Sequence, residues 1–125
     1  MSGGIRTSKA PDPVGAYPHA RRVGNLLFLS GIGPREPGTN RIPEGIEAQC
    51  RSAFKNVRAV LEEAGTTWEH LVDVTVYLTD LERDFAAYNR VYAEHFKDNP
   101  PCRTTLGISR LPTPISIELK CIAAV

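Results

Sequence analysis

The segment Leu26-Leu27-Phe28-Leu29 limits what this chain can fold into more than any other part of the sequence. Side chains alternate faces along a β-strand, so a strand with one wet face alternates apolar and polar residues. This one is apolar on both faces, as in a strand that is covered on both sides. A Gly24-Asn25 pair stands just before it and reads as a tight turn, joining a strand over residues 18–22 to a strand over 26–32. Whatever fold forms must therefore cover two faces of this hairpin.

The remaining pattern supplies cover for only one. Residues 1–15 are rich in Gly, Pro and Ser and read as an extended arm with a short strand near Ile5. Residues 33–43 hold several Pro and Gly and must be a loop. Ile46, Cys50, Ala53, Val57, Val60, Leu61 and Ala64 recur at helical spacing, which predicts a helix over 44–64 with Gly65 as its stop. Residues 71–79 alternate Val72, Val74, Val76 and Leu78 with Asp73, Thr75, Tyr77 and Thr79, a half-buried strand. Asp80 can cap a second helix whose Phe85, Tyr88, Tyr92 and Phe96 form an apolar stripe, ended by Asn99-Pro100-Pro101. Residues 100–124 read as two strands around a Pro-containing connector. The expected architecture is α+β, a single domain over residues 1–125 with a six-stranded sheet and both helices on one face. A second copy of the chain is the simplest cover for the other face.

The last two strands carry the candidate chemistry. In the final one, Ile115, Ile117, Leu119, Cys121 and Ala123 share one face, while Ser116, Glu118 and Lys120 share the other. In the preceding one, Leu106 and Ile108 oppose Arg103 and Thr105. If the apolar side of each faces the core, Arg103 and Glu118 project from the same, non-core face. A cation to hold a carboxylate and a carboxylate to move a proton then stand together. The plain alternative is an Arg and a Glu on a solvated face.

Composition removes several functions. The chain has 125 residues, 42% hydrophobic and 23% charged, with net charge +1 and no run of Lys or Arg. Nothing in it suggests a nucleic-acid or acidic-membrane partner, and no apolar run approaches the ~18 residues of a membrane span. The N-terminus lacks the apolar stretch of a signal peptide, and Cys50, Cys102 and Cys121 have no paired spacing, so a reduced cytoplasmic setting is expected. Packing roles are expected for all three cysteines, although Cys102 lies beside a cation that could activate it. His19, His70 and His95 lack ligand spacing and read as surface or turn residues, not metal ligands. Zinc-deaminase, P-loop, dinucleotide and nucleophile-elbow signatures are missing, so the expected chemistry uses neither metal nor cofactor.

Seven stretches then add up to a family pattern. They are Pro13-Val-Gly-Ala-Tyr17, Val23-Gly-Asn-Leu-Leu-Phe-Leu-Ser-Gly31, Ile46-Glu-Ala-Gln49, Asn56-Val-Arg-Ala-Val-Leu-Glu-Glu-Ala-Gly65, Val76-Tyr-Leu-Thr-Asp80, Pro101-Cys-Arg-Thr-Thr105 and Ile117-Glu-Leu-Lys-Cys-Ile-Ala123. Together, in order and over essentially the whole chain, they resemble the Rid/YjgF family of enamine/imine deaminases. The resemblance implies a chorismate-mutase-like fold, a homotrimer with sites at subunit interfaces, and hydrolysis of enamines or imines to ketones and ammonia. It assigns Arg103 to the substrate carboxylate and Glu118 to water activation and proton shuttling. Tyr17, Ser30, Gly31, Asn89 and Thr105 match pocket positions.

Departures from the common pattern point to substrate choice. Gly15-Ala-Tyr-Pro-His-Ala20 replaces Gly-x-Tyr-Ser-Gln-Ala, Ile32 follows Ser30-Gly31 in place of Gln, and Arg35 stands in the loop where many relatives are aliphatic. Thr105 replaces a frequent Cys. Tyr17-Pro-His19 with an Arg-bearing loop resembles the 2-aminomuconate deaminase branch, whose product would be 4-oxalocrotonate. That substrate carries two carboxylates, and Arg35, Arg41 or His19 could serve the distal one; Arg35 reads equally well as a solvated loop residue. A general deaminase of 2-iminopropanoate or 2-iminobutanoate and a non-catalytic, ligand-binding or chaperone-like trimer remain the alternatives.

Overall fold

The hairpin forms as its turn residues require. In a computed structural model that describes residues 3–125, β2 (Ala20–Val23) turns through Gly24, at φ 59°, into β3 (Leu26–Leu29). The short β1 (Gly4–Ile5) pairs with β2, and the first two residues of the predicted arm lie outside the described residues. Leu27 and Leu29 are fully buried, while Leu26 and Phe28 remain 40% and 37% exposed on the opposite face. The doubly apolar strand is thus covered on one side only within the chain.

The first helix, α1, runs over Ile46–Glu63 and packs Cys50, Ala53, Phe54, Val57, Val60 and Leu61 inward. Gly65, at φ 84°, ends it: its N–H bonds the Glu62 carbonyl and the Thr66 N–H bonds the Leu61 carbonyl, a Schellman closure. A short 3-10 turn leads into β4 (Leu71–Leu78). Asp80 caps α2 (Leu81–His95) by accepting the Arg83 N–H at 3.1 Å. The helix buries Tyr88, Val91 and Tyr92, whereas Phe85 of the expected stripe points outward and is 38% exposed.

β5 (Cys102–Gly107) returns parallel to β4, and β6 (Ile117–Ala124) inserts antiparallel between β3 and β4. The sheet order is β1-β2-β3-β6-β4-β5, a mixed six-stranded sheet with α1 and α2 packed together over its buried face. Its other face is open. On that open face stand Val23, Leu26, Phe28 and Leu106, all among the most exposed large apolar side chains of the molecule. A sheet face of this composition calls for a partner.

Two minor expectations fail. Cys102 is exposed, not packed, because it sits on the open face of an edge strand. His95 is half-buried, its ring 4.9 Å from that of Phe54 and its Nδ1 on the Val91 carbonyl, so it belongs to the aromatic core edge.

Candidate functional site

Glu118 gains its position from β6. Ile117, Leu119, Cys121 and Ala123 are buried beneath the helices, so Glu118, Lys120 and Ile122 face the open side. The β3–β6 ladder breaks after Phe28 pairs with Ile122 and resumes only where Ile32 and Leu119 exchange two hydrogen bonds of 2.9 Å. Between these points Ser30 and Gly31 bow across Glu118. A Cβ added to Gly31 would stand 2.9 Å from Glu118 Cδ, so glycine is the residue that lets the two meet.

A pocket of about 390 Å³ opens here, lined by Tyr17, Ser30, Gly31, Arg35, Glu118 and Lys120 with apolar walls from Ile32 and Ile115. Burial raises the Glu118 pKa above the ordinary glutamate value, and the charge of Arg35 offsets part of that rise.

The wall residues are held firmly. Tyr17 Oη accepts the Val14 N–H, and Ser30 Oγ donates to the Pro18 carbonyl at 2.7 Å. Arg35 donates to Asn40 Oδ1 and to the Asp12 carbonyl, both at 2.7 Å. Its backbone is stapled to α1: buried Asn56 Nδ2 donates to the carbonyls of Gly33 and Arg35, and Ser52 Oγ to that of Pro34. Arg35 is therefore a fixed wall of the pocket and not a free loop side chain.

The other two candidates for a distal carboxylate are occupied elsewhere. His19 lines the pocket but is buried, contrary to its surface reading. Its Nδ1 accepts the Thr7 N–H and its Nε2 donates to the Pro11 carbonyl, so both ring nitrogens are spent on folding the arm. Arg41 lies outside this pocket and pairs with Glu36 at 2.9 Å.

Arg103 corrects the sequence reading. Residues paired across neighbouring strands share a face. Arg103 pairs with Val74 and Thr105 with Val76, both fully buried, whereas Glu118 pairs with Tyr77 on the open side. Arg103 and Glu118 therefore project from opposite faces of one sheet. Alternation within β5 was read correctly, but the apolar side was assumed to face the core. In β5 the apolar Leu106 faces outward, 44% exposed, on the open side where Tyr77 and Glu118 stand.

Arg103 has its own surroundings at the β5–α2 edge. It donates to Asn89 Oδ1 at 2.9 Å, and its guanidinium carbon lies 4.7 Å from the Tyr92 ring centre and 5.3 Å from that of Tyr88. Tyr88 Oη and Thr105 Oγ1 share a 2.8 Å hydrogen bond. The predicted site residues thus sort into two groups, Tyr17, Ser30, Gly31, Arg35 and Glu118 on one side and Arg103, Asn89 and Thr105 on the other. Lys120, Tyr88 and Tyr92 were not picked out. Lys120 alternates in step with Glu118, which was the available signal.

The chain has clear relatives. A family model described as Endoribonuclease L-PSP matches residues 7–125. A RutC family protein of Pyrococcus abyssi is 45% identical, the match covering 95% of this chain and 94% of that one. The RidA crystal structure from the Antarctic bacterium Psychrobacter superposes with TM-score 0.94 at 35% identity, covering 98% and 99% of the two chains. The YjgF gene product of E. coli superposes with TM-score 0.92 at 35% identity, covering 98% of each.

Proposed function

Because the chain belongs to the Rid/YjgF/RutC family, we propose that it is a hydrolytic deaminase of small enamine or imine carboxylates, acting as a homotrimer in the cytoplasm. The observation that carries this reading is Glu118, a carboxyl raised by burial in a pocket whose other charged groups are cations. A free solvated glutamate would make a poor acid near neutral pH; a raised one can serve as both base and acid.

The opposed faces support a site shared between copies. One chain offers Glu118 in a half-open pocket, and its own Arg103 is on the far side of the sheet. A neighbour that lays its β5–α2 edge on the open apolar face would bring Arg103, Asn89 and Thr105 to that pocket. Leu81 and Phe85 on α2, exposed in the single chain, would be covered in the same contact.

In the proposed reaction the enamine first tautomerises to the imine. The neighbour's Arg103 forks onto the substrate carboxylate, steadied by Asn89 and the two tyrosine rings. Water held by Glu118 adds through oxygen to the C=N carbon and gives one proton to the carboxylate, which passes that proton to the nitrogen, so that a carbinolamine forms and Glu118 is again ionised. The same carboxyl then moves the hydroxyl proton to nitrogen, the C–N bond breaks, and ammonia leaves with a ketone behind.

Within this class we assign 2-aminomuconate as the favoured substrate. It carries two carboxylates, and Arg35 is fixed in the pocket to meet the second. The test is ammonia release from 2-aminomuconate and from 2-iminopropanoate made in situ. The reading expects turnover of both and a larger kcat/KM for the first, with Arg35→Ala raising KM about 10- to 100-fold for 2-aminomuconate and by little for the other. Ammonia from neither substrate would leave a binding protein, and equal Arg35→Ala effects on both would remove the second clamp.

A further inference from the structure

We propose that Lys120 completes an anion clamp with Arg35, so that the Glu118 pocket selects substrates bearing a second carboxylate. The inference rests on the deaminase reading for its substrate but stands on its own geometry.

Lys120 occupies a built position. Where the β3–β6 ladder breaks, the Leu29 carbonyl has no partner in β6, and Lys120 Nζ donates to it across the gap. That bond fixes the ammonium at the pocket wall and leaves its other N–H donors for a ligand. Arg35 is treated alike, since its partners are the Asn40 side-chain amide and the Asp12 carbonyl. Both cations are thus held in place by neutral oxygens. The ion pairs among the described residues involve Arg41, Arg51, Arg83 and Arg90, and include neither Arg35 nor Lys120.

Charge balance then names the ligand. Among the residues lining the pocket, Glu118 is the single carboxylate against two cations. A neighbour's Arg103 would add a third. A substrate with one carboxylate leaves a cation unmatched in a half-buried site, and one with two carboxylates neutralises the set.

The test compares two imines made in situ by amino-acid oxidases, 2-iminopropanoate and 2-iminoglutarate, on the full-length protein and on Lys120→Met and Lys120→Arg. Wild type should prefer the dicarboxylate in kcat/KM by about tenfold or more. Lys120→Met should remove that preference, mainly through KM, lowering kcat/KM more for the dicarboxylate than for the monocarboxylate. Lys120→Arg should keep most of it. A second arm titrates 2-oxoglutarate and pyruvate into the same proteins calorimetrically. If ammonia release is no faster than uncatalysed hydrolysis but Lys120→Met still abolishes a preference for 2-oxoglutarate, the clamp stands and the deaminase reading falls. Equal losses on both substrates, an unchanged preference in Lys120→Met, no dicarboxylate preference in wild type, or a change of oligomeric mass in Lys120→Met would each overturn the clamp.

Discussion

Glu118 concentrates the physics of the pocket in one side chain. Its carboxyl is raised by burial, so the folded state holds the proton more tightly than the unfolded chain does. Between the unfolded and folded pKa values the folded protein binds more protons, and stability falls as pH rises. The penalty is complete above the folded pKa and absent below the unfolded one, about 4.3 for glutamate. Glu118→Gln should therefore raise the melting temperature at pH 7.5, with the gain fading towards pH 4, while ammonia release drops by about 10²- to 10⁴-fold. A variant that melts lower than wild type at pH 7.5 would mean that the ionised carboxylate is stabilised in the fold, against this account. The residue's outward face was legible in the alternation of β6, and so was that of Lys120. The anchoring of Lys120 and Arg35 was not, because the Leu29 carbonyl that Lys120 holds lies 91 residues away in sequence and the Asn56 that fixes Arg35 lies 21 away. His19 misled for the same reason: its partners, Thr7 and Pro11, become neighbours only once the arm folds back.

At the level of elements, local signals set almost every boundary. The Gly24-Asn25 turn, the Gly65 stop and the Asp80 cap are short-range chemistry and appear where the sequence places them. Helix α1 starts at Ile46 and not at residue 44, because Gly45 takes φ 85° as its leading residue. The face of β5 runs against the sequence expectation. Period-two alternation says which residues share a face, and only pairing with β4 says which face is inside. The break between β3 and β6 was equally hidden, since residues 26–32 read as one continuous strand. That break matters to catalysis through Gly31. Its backbone needs no left-handed conformation, and an added methyl would meet the mobile end of Glu118, not the main chain. Gly31→Ala should then cost less than about 1–2 kcal/mol of stability yet lower kcat about 10- to 100-fold by displacing the carboxyl. Loss of stability in proportion to activity would place the glycine's importance in folding alone.

For the whole molecule, the half-covered strand and the opposed faces of Arg103 and Glu118 belong to one sheet. The chain buries Leu27 and Leu29 and leaves Leu26 and Phe28 showing, and it raises Glu118 on that same open face while turning Arg103 away from it. The expectation of a second copy comes from Leu26-Leu27-Phe28-Leu29, two of whose side chains stay exposed in the single chain. The opposed faces of Arg103 and Glu118 were not legible there, because alternation alone put both residues on one face. The most direct measurement mixes two inactive proteins, Arg103→Ala and Glu118→Gln, unfolded together and refolded, and assays ammonia release. In a randomly assembled trimer with each site drawn from two copies, about one quarter of sites recover an intact Arg103 and an intact Glu118. The account predicts recovery of roughly that fraction of wild-type activity. Activity no greater than the two parents give separately would mean that each site is built from a single chain, and would contradict it.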